Sequence, residues 1–351
     1  MKVFIRTDAS VYIGTGHVMR CLVLARALQQ HHFSVTFVCR PQNGDLIKYI
    51  KRQGIHVQSL PQVAVVTPQH SADYAAWLQR SWQHDAIDFI AAVKHADVVI
   101  TDHYAIDYQW QKYVKEQLGC TLLAIDDLNR IHFSDLIIDQ NLWPDLPQRY
   151  SDCSQKKLLG PQYALLDKPF SDLINKNIKK KNQVLAFFGG NDLSKECIKL
   201  FHAACTYNSL PFQLKIVTGQ TNQAYQQLIN LPSPPHVSVV KFIDKFALEL
   251  KQTNYVIGAS GVSNWERFCL NIPATIVSVA ENQLKLSQYL AQLEVVRYLG
   301  ESQYTDIQTY VNELQFLISC WPGIRFNSSL NIDGHGTERI VSELKEQLKN
   351  E

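Results

Sequence analysis

The sequence predicts an α/β protein of two domains, each built around a parallel β-sheet. The chain has 351 residues, and one domain usually holds about 100 to 200. Short apolar runs alternate with helix-patterned stretches in both halves, as they do in strand-helix-strand units. A lysine-rich stretch over residues 175–182 lacks the apolar residues for a core and is typical of a solvated linker. We therefore expect one domain over residues 1–168 and a second over residues 169–351.

The first half contains four clear strand patterns and one amphipathic helix. The predicted helix covers Met19–Leu28, and the predicted strands cover Val3–Ile5, Val35–Cys39, Val98–Thr101 and Leu122–Ile125. Polar residues come directly after several of these strands. In open α/β sheets ligands bind beyond the carboxyl ends of the strands, so we expect the functional residues there.

The second half repeats this architecture without repeating the sequence. Predicted strands cover Gln183–Phe188, Leu214–Val217, Val237–Val240, Tyr255–Ile257 and Ala274–Val277, and a final helix covers Gly334–Leu348. We assign that helix to the second domain.

Composition limits the classes of partner. The apolar fraction is 46%, the charged fraction is 19% and the net charge is +2, so no strong field would attract nucleic acid or a membrane. The eight cysteines include no C-x-x-C pair and are typical of reduced, buried thiols. Met1–Arg6 is too short for a signal peptide, and no later run has the roughly 18 apolar residues of a membrane span. We predict a cytoplasmic protein.

The turn Gly14-Thr15-Gly16-His17 separates the first strand from the first helix. Glycines allow a ligand to approach the backbone, and the free N–H groups of a helix start bind anions. Met19 replaces the third glycine of the dinucleotide motif, which argues against NAD. A helix N-terminus favours the neutral, proton-accepting form of His17. From the local sequence alone, a general base and a helix-capping histidine are equal alternatives.

Polar residues near this turn have functional and structural interpretations. Arg6, Asp8 and Arg20 form either an ion-pair network or the support of a site, and we favour site support. In Thr101-Asp102-His103-Tyr104 we expect capping and packing for Asp102 and His103, and substrate orientation for Tyr104. The same ambiguity applies to Asp126 and Asp127.

Three turns of the second half also suit a ligand. Gly189-Gly190-Asn191-Asp192 is the weakest, since Asn191 or Asp192 could simply cap a helix. Gly258–Glu266 offers small residues for a diphosphate and a carboxylate for ribose hydroxyls. The structural alternative is a capping box of Ser263 and Glu266, and the two roles can coexist. Asn282 and Gln283 could bind sugar hydroxyl or acetamido groups, or form a surface turn. Metal-ligand spacings are missing from the sequence, and we predict neither a metal nor a cofactor.

Taken together, these segments resemble one family, the hydrolases of pseudaminic acid biosynthesis that remove UDP from UDP-2,4-diacetamido-2,4,6-trideoxy-β-L-altropyranose. The most specific element is G-x-G-H-x-x-R after an R-x-D strand end, present as Gly14, Gly16, His17 and Arg20. The resemblance covers nearly the whole chain and implies two Rossmann-like domains facing across a cleft. This is the GT-B fold of glycosyltransferases such as the peptidoglycan N-acetylglucosaminyltransferase. The segment Val63–Asp88 is longer than compact members need.

The resemblance also implies a reaction and its residues. Water attacks C1 without a metal, the configuration inverts and UDP leaves. His17 would be the base, Tyr104 and Asn282 would hold sugar and water, and Asp8 would orient His17 or bind sugar. The remaining substrate and UDP contacts would be Arg6, Gly14, Gly16, Arg20, Gly190, Ser260, Gly261, Val262, Ser263 and Glu266. The product would enter a flagellin or surface glycan, and other enzymes of that pathway are candidate partners.

Two alternatives stay open. In a UDP-sugar glycosyltransferase His17 would activate an acceptor hydroxyl instead of water, and the fold alone does not distinguish the two reactions. The sequence has no exposed apolar and basic membrane segment, which favours hydrolysis over transfer to a lipid-linked acceptor. In a non-catalytic nucleotide-sugar-binding protein, His17 would be only a ligand contact.

Overall fold

A computed structural model describes residues 1–152, 155–219, 222–324, 326 and 330–350. The chain forms two compact units. The first combines Met1–Asp167 with Gly334–Glu351, and the second is Lys168–Asp333.

The first unit is built on a seven-stranded parallel sheet in the order β3-β2-β1-β4-β5-β6-β7. Its strands are β1 (Lys2–Thr7), β2 (Ser34–Cys39), β3 (His56–Ser59), β4 (Val98–Asp102), β5 (Thr121–Ile125), β6 (Leu136–Asp139) and β7 (Lys156–Leu159). The four predicted strands correspond to β1, β2, β4 and β5. The other three are four-residue strands, too short to show a clear period.

The helices of residues 1–167 connect these strands, as parallel pairing requires. They are α1 (Gly16–Gln30), α2 (Ile47–Arg52), α3 (Tyr74–Trp77), α4 (Trp82–Val93) and α5 (Tyr108–Leu118). The longest, α1, buries Leu22, Leu24, Ala25 and Leu28. These are the apolar positions that predicted the helix.

The second unit has a six-stranded parallel sheet in the order β10-β9-β8-β11-β12-β13. Its strands are β8 (Gln183–Phe187), β9 (Gln213–Val217), β10 (Val237–Val240), β11 (Tyr255–Ala259), β12 (Ala274–Ser278) and β13 (Arg297–Glu301). Its helices are α6 (Lys168–Leu173), α7 (Glu196–Ala204), α8 (Ala224–Ile229), α9 (Phe246–Gln252), α10 (Val262–Cys269), α11 (Leu284–Gln292) and α12 (Ile307–Cys320). Only β13 was not predicted.

The terminal helix, α13 (Gly336–Asn350), packs against α1 in the first unit. Its apolar residues Ile340, Val341 and Leu344 are fully buried in the core of that unit. We had assigned this helix to the second domain because it follows the second set of strands. The structure corrects that assignment, because the apolar face of the helix is covered by the first unit.

Strand order reverses between β1 and β4 in the first sheet and between β8 and β11 in the second. Such reversal points are where open α/β sheets bind ligands. In the first sheet Thr7 pairs with Asp102, and in the second Phe187 pairs with Gly258. Four of the predicted site turns follow these four strands, whereas Asp126-Asp127 follows β5 and Asn282-Gln283 follows β12. Each unit therefore presents two predicted turns at its own reversal point.

The cysteines are mostly buried, as predicted. Cys21, Cys39, Cys197 and Cys269 are buried, whereas Cys205 is exposed, and Cys153 lies outside the described residues. None of the helices in the described part of the chain is long and apolar enough to cross a membrane.

Candidate functional site

The turn after β1 leaves the start of α1 open. The Ser10 hydroxyl accepts hydrogen bonds from two turn N–H groups, and its carbonyl accepts from Gly14, whose φ of +77° favours glycine. The N–H groups of Gly16, His17 and Val18 donate to no described residue. Unpaired N–H groups at a helix start attract an anion or a polar oxygen. The turn therefore has the geometry of a ligand contact.

His17 is the second residue of α1 and is held by a carboxylate. Its Nδ1 lies 2.6 Å from an Asp102 carboxylate oxygen, and its side chain is 9% exposed. An ionised carboxylate only accepts hydrogen bonds, so this contact assigns the ring proton to Nδ1. Nε2 then keeps its lone pair, and it bonds to no described residue. This is the arrangement of a general base.

Asp102, the last residue of β4, is fully buried. Arg20 donates to both its oxygens, from Nε and Nη2, at 2.6 Å each. Burial disfavours the charged carboxyl, but Arg20 and His17 outweigh burial and hold the pKa of Asp102 below its ordinary value. We had expected Asp102 to serve only in capping and packing. The structure corrects this, because the carboxylate orients His17.

Tyr104 is placed beside His17 by an edge-to-face contact, with ring centroids 4.6 Å apart. Its hydroxyl donates to Asp127 at 2.6 Å, and Asp127 also lies 3.4 Å from Nη1 of Arg20. Burial and the Asp127 charge raise the pKa of Tyr104 well above its ordinary value, so the hydroxyl keeps its proton. Because that proton is engaged by Asp127, the phenol oxygen acts as an acceptor toward other hydrogen-bonding groups.

Aromatic rings from the long segment 63–88 pack around this pair. The ring of Trp77 lies 6.3 Å from that of His17 and 5.7 Å from that of Tyr104, and Tyr74 lies 4.9 Å from Tyr104. Trp77 is 7% exposed, so it limits the access of bulk water to His17. We did not predict either residue, because the segment has no periodic pattern from which to place them.

Arg6 and Asp8 take part in a buried ion-pair network, one of the two alternatives for these residues. They form an ion pair of 2.7 Å in which neither side chain is exposed, and Arg6 also pairs with Asp85. Asp8 accepts from the backbone N–H of Arg40 and lies 3.5 Å from Nε2 of His103. Neither Asp8 nor Arg6 bonds to His17. Asp102, and not Asp8, therefore contacts Nδ1 of His17. The sugar contact of Asp8 and the substrate contact of Arg6 stay predictions.

In the second unit the turn after β11 leaves the start of α10 open. Gly261 has a φ of +113° and precedes the helix without a side-chain cap. The N–H groups of Gly261, Val262 and Ser263 donate to no described residue, whereas that of Ser260 bonds to the Val277 carbonyl. A diphosphate is the anion that such a row of N–H groups suits. Of the two hydrogen-bond donors of Ser260, only the hydroxyl group remains available to a ligand.

The predicted capping box is wrong in this turn. Ser263 lies inside the first turn of α10 and its hydroxyl donates to the Ala259 carbonyl at 3.2 Å. The residue at the cap position is Gly261, because only glycine readily adopts its backbone conformation. Glu266 is half-buried on α10, and its ribose role stays a prediction.

The turn at Gly190 differs from the other two. Asp192 accepts hydrogen bonds from the N–H groups of Glu196 and Cys197 at 2.8 and 2.9 Å, so it occupies the start of α7. A Cβ on Gly219 would lie 2.5 Å from the carbonyl oxygen of Gly190. The backbone at Gly190 therefore packs tightly against the backbone at Gly219. These contacts favour the structural alternative, and the UDP contact of Gly190 stays a prediction.

Asn282 lies in a short 3-10 turn, Glu281–Gln283, after β12 and is half-buried. Gln283 in the same turn uses its side-chain oxygen to accept from the Val279 N–H at 2.9 Å. Gln283 therefore stabilises the turn, and the role of Asn282 in holding sugar or water stays a prediction. No group of three or more metal-ligating side chains occurs among the residues that the structure describes.

Sequence comparison identifies relatives, although no family model matches the chain. It is 26% identical to the UDP-2,4-diacetamido-2,4,6-trideoxy-beta-L-altropyranose hydrolase of Campylobacter jejuni, over 83% of this chain and 97% of that protein. It is 22% identical to the spore coat polysaccharide biosynthesis protein SpsG of Bacillus subtilis over the full length of both. A 26% match to the uncharacterized protein MJ1062 of Methanocaldococcus jannaschii covers 88% of this chain but 63% of that protein, less than two thirds of its length.

Solved structures identify the fold. MurG of Acinetobacter baumannii aligns with a TM-score of 0.61 over 98% of this chain and 99% of that chain, at 16% identity. The spinosyn rhamnosyltransferase SpnG complexed with thymidine diphosphate aligns with a TM-score of 0.64 over 98% and 96%, at 13% identity. These likenesses confirm the predicted fold class, and the sequence match confirms the predicted resemblance. The chain is thus a two-domain protein of the GT-B fold, similar in sequence to the C. jejuni hydrolase over nearly all of that protein.

Proposed function

We propose that this chain is a nucleotide-sugar hydrolase that removes UDP from UDP-2,4-diacetamido-2,4,6-trideoxy-β-L-altropyranose. The observation that carries the proposal is the 2.6 Å contact between Nδ1 of His17 and Asp102, which leaves Nε2 as a proton acceptor. The match to the C. jejuni hydrolase, which bears this substrate in its name, supports the choice of sugar. The open start of α10 supports a diphosphate as the leaving group.

The nucleophile in this proposal is a water molecule between two acceptors. One water proton would go to Nε2 of His17, and the other would point to the oxygen of Tyr104, whose own proton is engaged by Asp127. A lone pair of the water oxygen then faces C1 of the sugar. General-base assistance of this kind contributes about 100- to 10,000-fold to the rate.

Bond breaking would follow in the same step. As the water oxygen bonds to C1, the bond between C1 and the β-phosphate oxygen breaks, and its electron pair leaves with UDP. Attack from the side opposite to UDP inverts the configuration at C1. The N–H groups of Gly261, Val262 and Ser263 would stabilise the charge on the leaving diphosphate. The products are the free sugar and UDP, and the proton on His17 passes to solvent.

The test is an NMR time course with the UDP-linked sugar, EDTA and no acceptor. We expect UDP and the free inverted sugar to form together. His17→Ala should abolish turnover while it keeps UDP affinity, because the expected UDP contacts lie in the second unit. Binding without release would overturn the hydrolase. Release only after an acceptor alcohol is added would identify a glycosyltransferase, in which His17 activates a hydroxyl group instead of water.

A further inference from the structure

Arg267 in α10 is a buried cation that forms no ion pair with a described carboxylate, although Glu266 attracts its charge from beyond ion-pair distance. It is 3% exposed, and none of the described acidic side chains lies within ion-pair distance of it. Its Nη2 donates to the Ala259 carbonyl and to the side-chain oxygen of Asn264, while Nε has no partner. Burial lowers the pKa of Arg267 to about 10, far above neutrality. A positive charge is costly to bury without a counter-ion.

The backbone of β11 makes room for this charge. A Cβ on Gly258 would lie 3.0 Å from Nη1 of Arg267 and 2.4 Å from the Phe187 carbonyl oxygen. Any larger residue there would displace the guanidinium or the neighbouring strand. The charge is thus held directly behind the turn whose N–H groups are open.

A hydrogen-bond relay connects Arg267 to the ligand side of the turn. Because Asn264 accepts from Arg267 through its side-chain oxygen, its amide nitrogen is directed to the Ser260 hydroxyl oxygen, 3.0 Å away. That oxygen is an acceptor, so the Ser260 proton must point elsewhere, and it is donated to no described residue. Its backbone N–H is already bonded to Val277. The relay therefore presents the hydroxyl of Ser260 as a donor.

We propose that Arg267 and Asn264 are positioning residues for the diphosphate of the nucleotide. Arg267 supplies the positive charge behind the turn, and Asn264 fixes the Ser260 hydroxyl as a donor to a phosphate oxygen. The ligand completes the charge balance of the buried guanidinium. This inference rests on the proposed function, because it assumes that a nucleoside diphosphate binds at α10.

The decisive variant is Asn264→Asp, which has nearly the same shape but gives Arg267 a carboxylate partner. We expect a higher melting temperature and a UDP affinity about tenfold or more lower, because the guanidinium is then neutralised within the protein. Affinity for uridine, which lacks phosphate, should not change. Asn312→Asp is the matched control. Asn312 is exposed on α12 of the same unit, and its substitution adds the same negative charge away from Arg267.

Calorimetry with UDP, and NMR titration with uridine, would measure these affinities in the full chain. Ser260→Ala should lower UDP affinity, and adding Asn264→Ala should lower it no further, because Asn264 acts through Ser260. Unchanged UDP affinity in Asn264→Asp, or an equal loss of uridine affinity, would overturn the inference and leave the hydrolase intact. A wild-type protein that does not bind UDP would overturn the nucleotide assignment and this inference together.

Discussion

At the residue scale, one carboxylate decides what the His17 side chain can do. Asp102 holds the proton on Nδ1, and Arg20 fixes Asp102 through two hydrogen bonds of 2.6 Å. Asp102 could not turn away from His17 without breaking its paired contact with Arg20. Arg20 therefore acts on the imidazole through Asp102, and its Nη2 also lies 3.3 Å from Nδ1 of His17. Its contact with the substrate stays a prediction.

The Asp102→Asn variant should separate the effect of His17 orientation on turnover from any effect on folding. An amide can present its N–H to Nδ1 and reverse the tautomer, so we expect turnover to fall about 100- to 10,000-fold while UDP affinity stays the same. The NMR assay and UDP calorimetry would measure both quantities. Asp145→Asn, an exposed position of the same unit, is the control. A folded Asp102→Asn variant with full turnover would rule out the orienting role.

The two glycines of the first turn should respond differently to alanine. Gly14 has a φ of +77°, whereas a Cβ on Gly16 would meet nothing within 4 Å and its φ is ordinary. We expect Gly14→Ala to cost about 1 kcal/mol of stability and Gly16→Ala to cost none. Gly16→Ala should instead raise KM, because its methyl group occupies the space of the ligand. Thermal melts and kinetics distinguish the two effects, and an unstable Gly16→Ala would contradict the prediction.

At the scale of elements, the register between β1 and β4 separates what the sequence could predict from what it could not. Strand and helix patterns are local, so they located β1, α1 and the turn that carries His17. The pairing of Thr7 with Asp102 is not local. It joins residues 95 positions apart, and only this pairing brings Asp102 to His17. Trp77 lies in an irregular segment that has no pattern to place it. Ser260 was predicted, but its backbone hydrogen bond to β12 is a non-local contact that no sequence pattern reveals.

The docking of α13 gives a prediction about the first unit. Ile340 is fully buried against the α1 core, so Ile340→Ala should destabilise that unit by about 2 to 5 kcal/mol through the cavity it leaves. Hydrogen exchange should become faster in α1 and β1. Leu317→Ala, equally buried in the core of the second unit, should accelerate exchange in α12 instead. Faster exchange in α12 on Ile340→Ala would argue against the docking.

At the scale of the whole molecule, the two units differ in their buried carboxylates. In the first, Asp8, Asp102 and Asp126 are buried, and neighbouring cations overcome the burial and hold their pKa values below the ordinary range. Asp139 of the same unit is an exception, because burial raises its pKa to about 7. In the second, burial raises the pKa of Asp192, although the lysines around Glu249 lower its pKa to about 2. The first unit therefore depends more strongly on ionised carboxylates.

As the pH falls, the first unit should therefore unfold before the second. A carboxyl whose pKa is lower in the folded state stabilises the fold above its unfolded pKa of about 4, and that contribution is lost as the pH falls further. Pulse-labelled hydrogen exchange between pH 6 and pH 2 would follow each unit. We expect protection to disappear first in β1, β4 and β5. Earlier loss in β8 and β11 would contradict this order.

The packing of α13 in the first unit also determines which unit can complete its core first during translation. Residues 1–167 are translated before the second unit, but the helix that covers α1 is translated after it. The second unit is one continuous stretch and can complete its core while translation continues. A nascent chain halted before residue 334 would thus carry a finished second unit beside a first unit with the apolar face of α1 still uncovered. The core of the first unit therefore stays incomplete until α13 has been synthesised, although most of that unit is translated before the second.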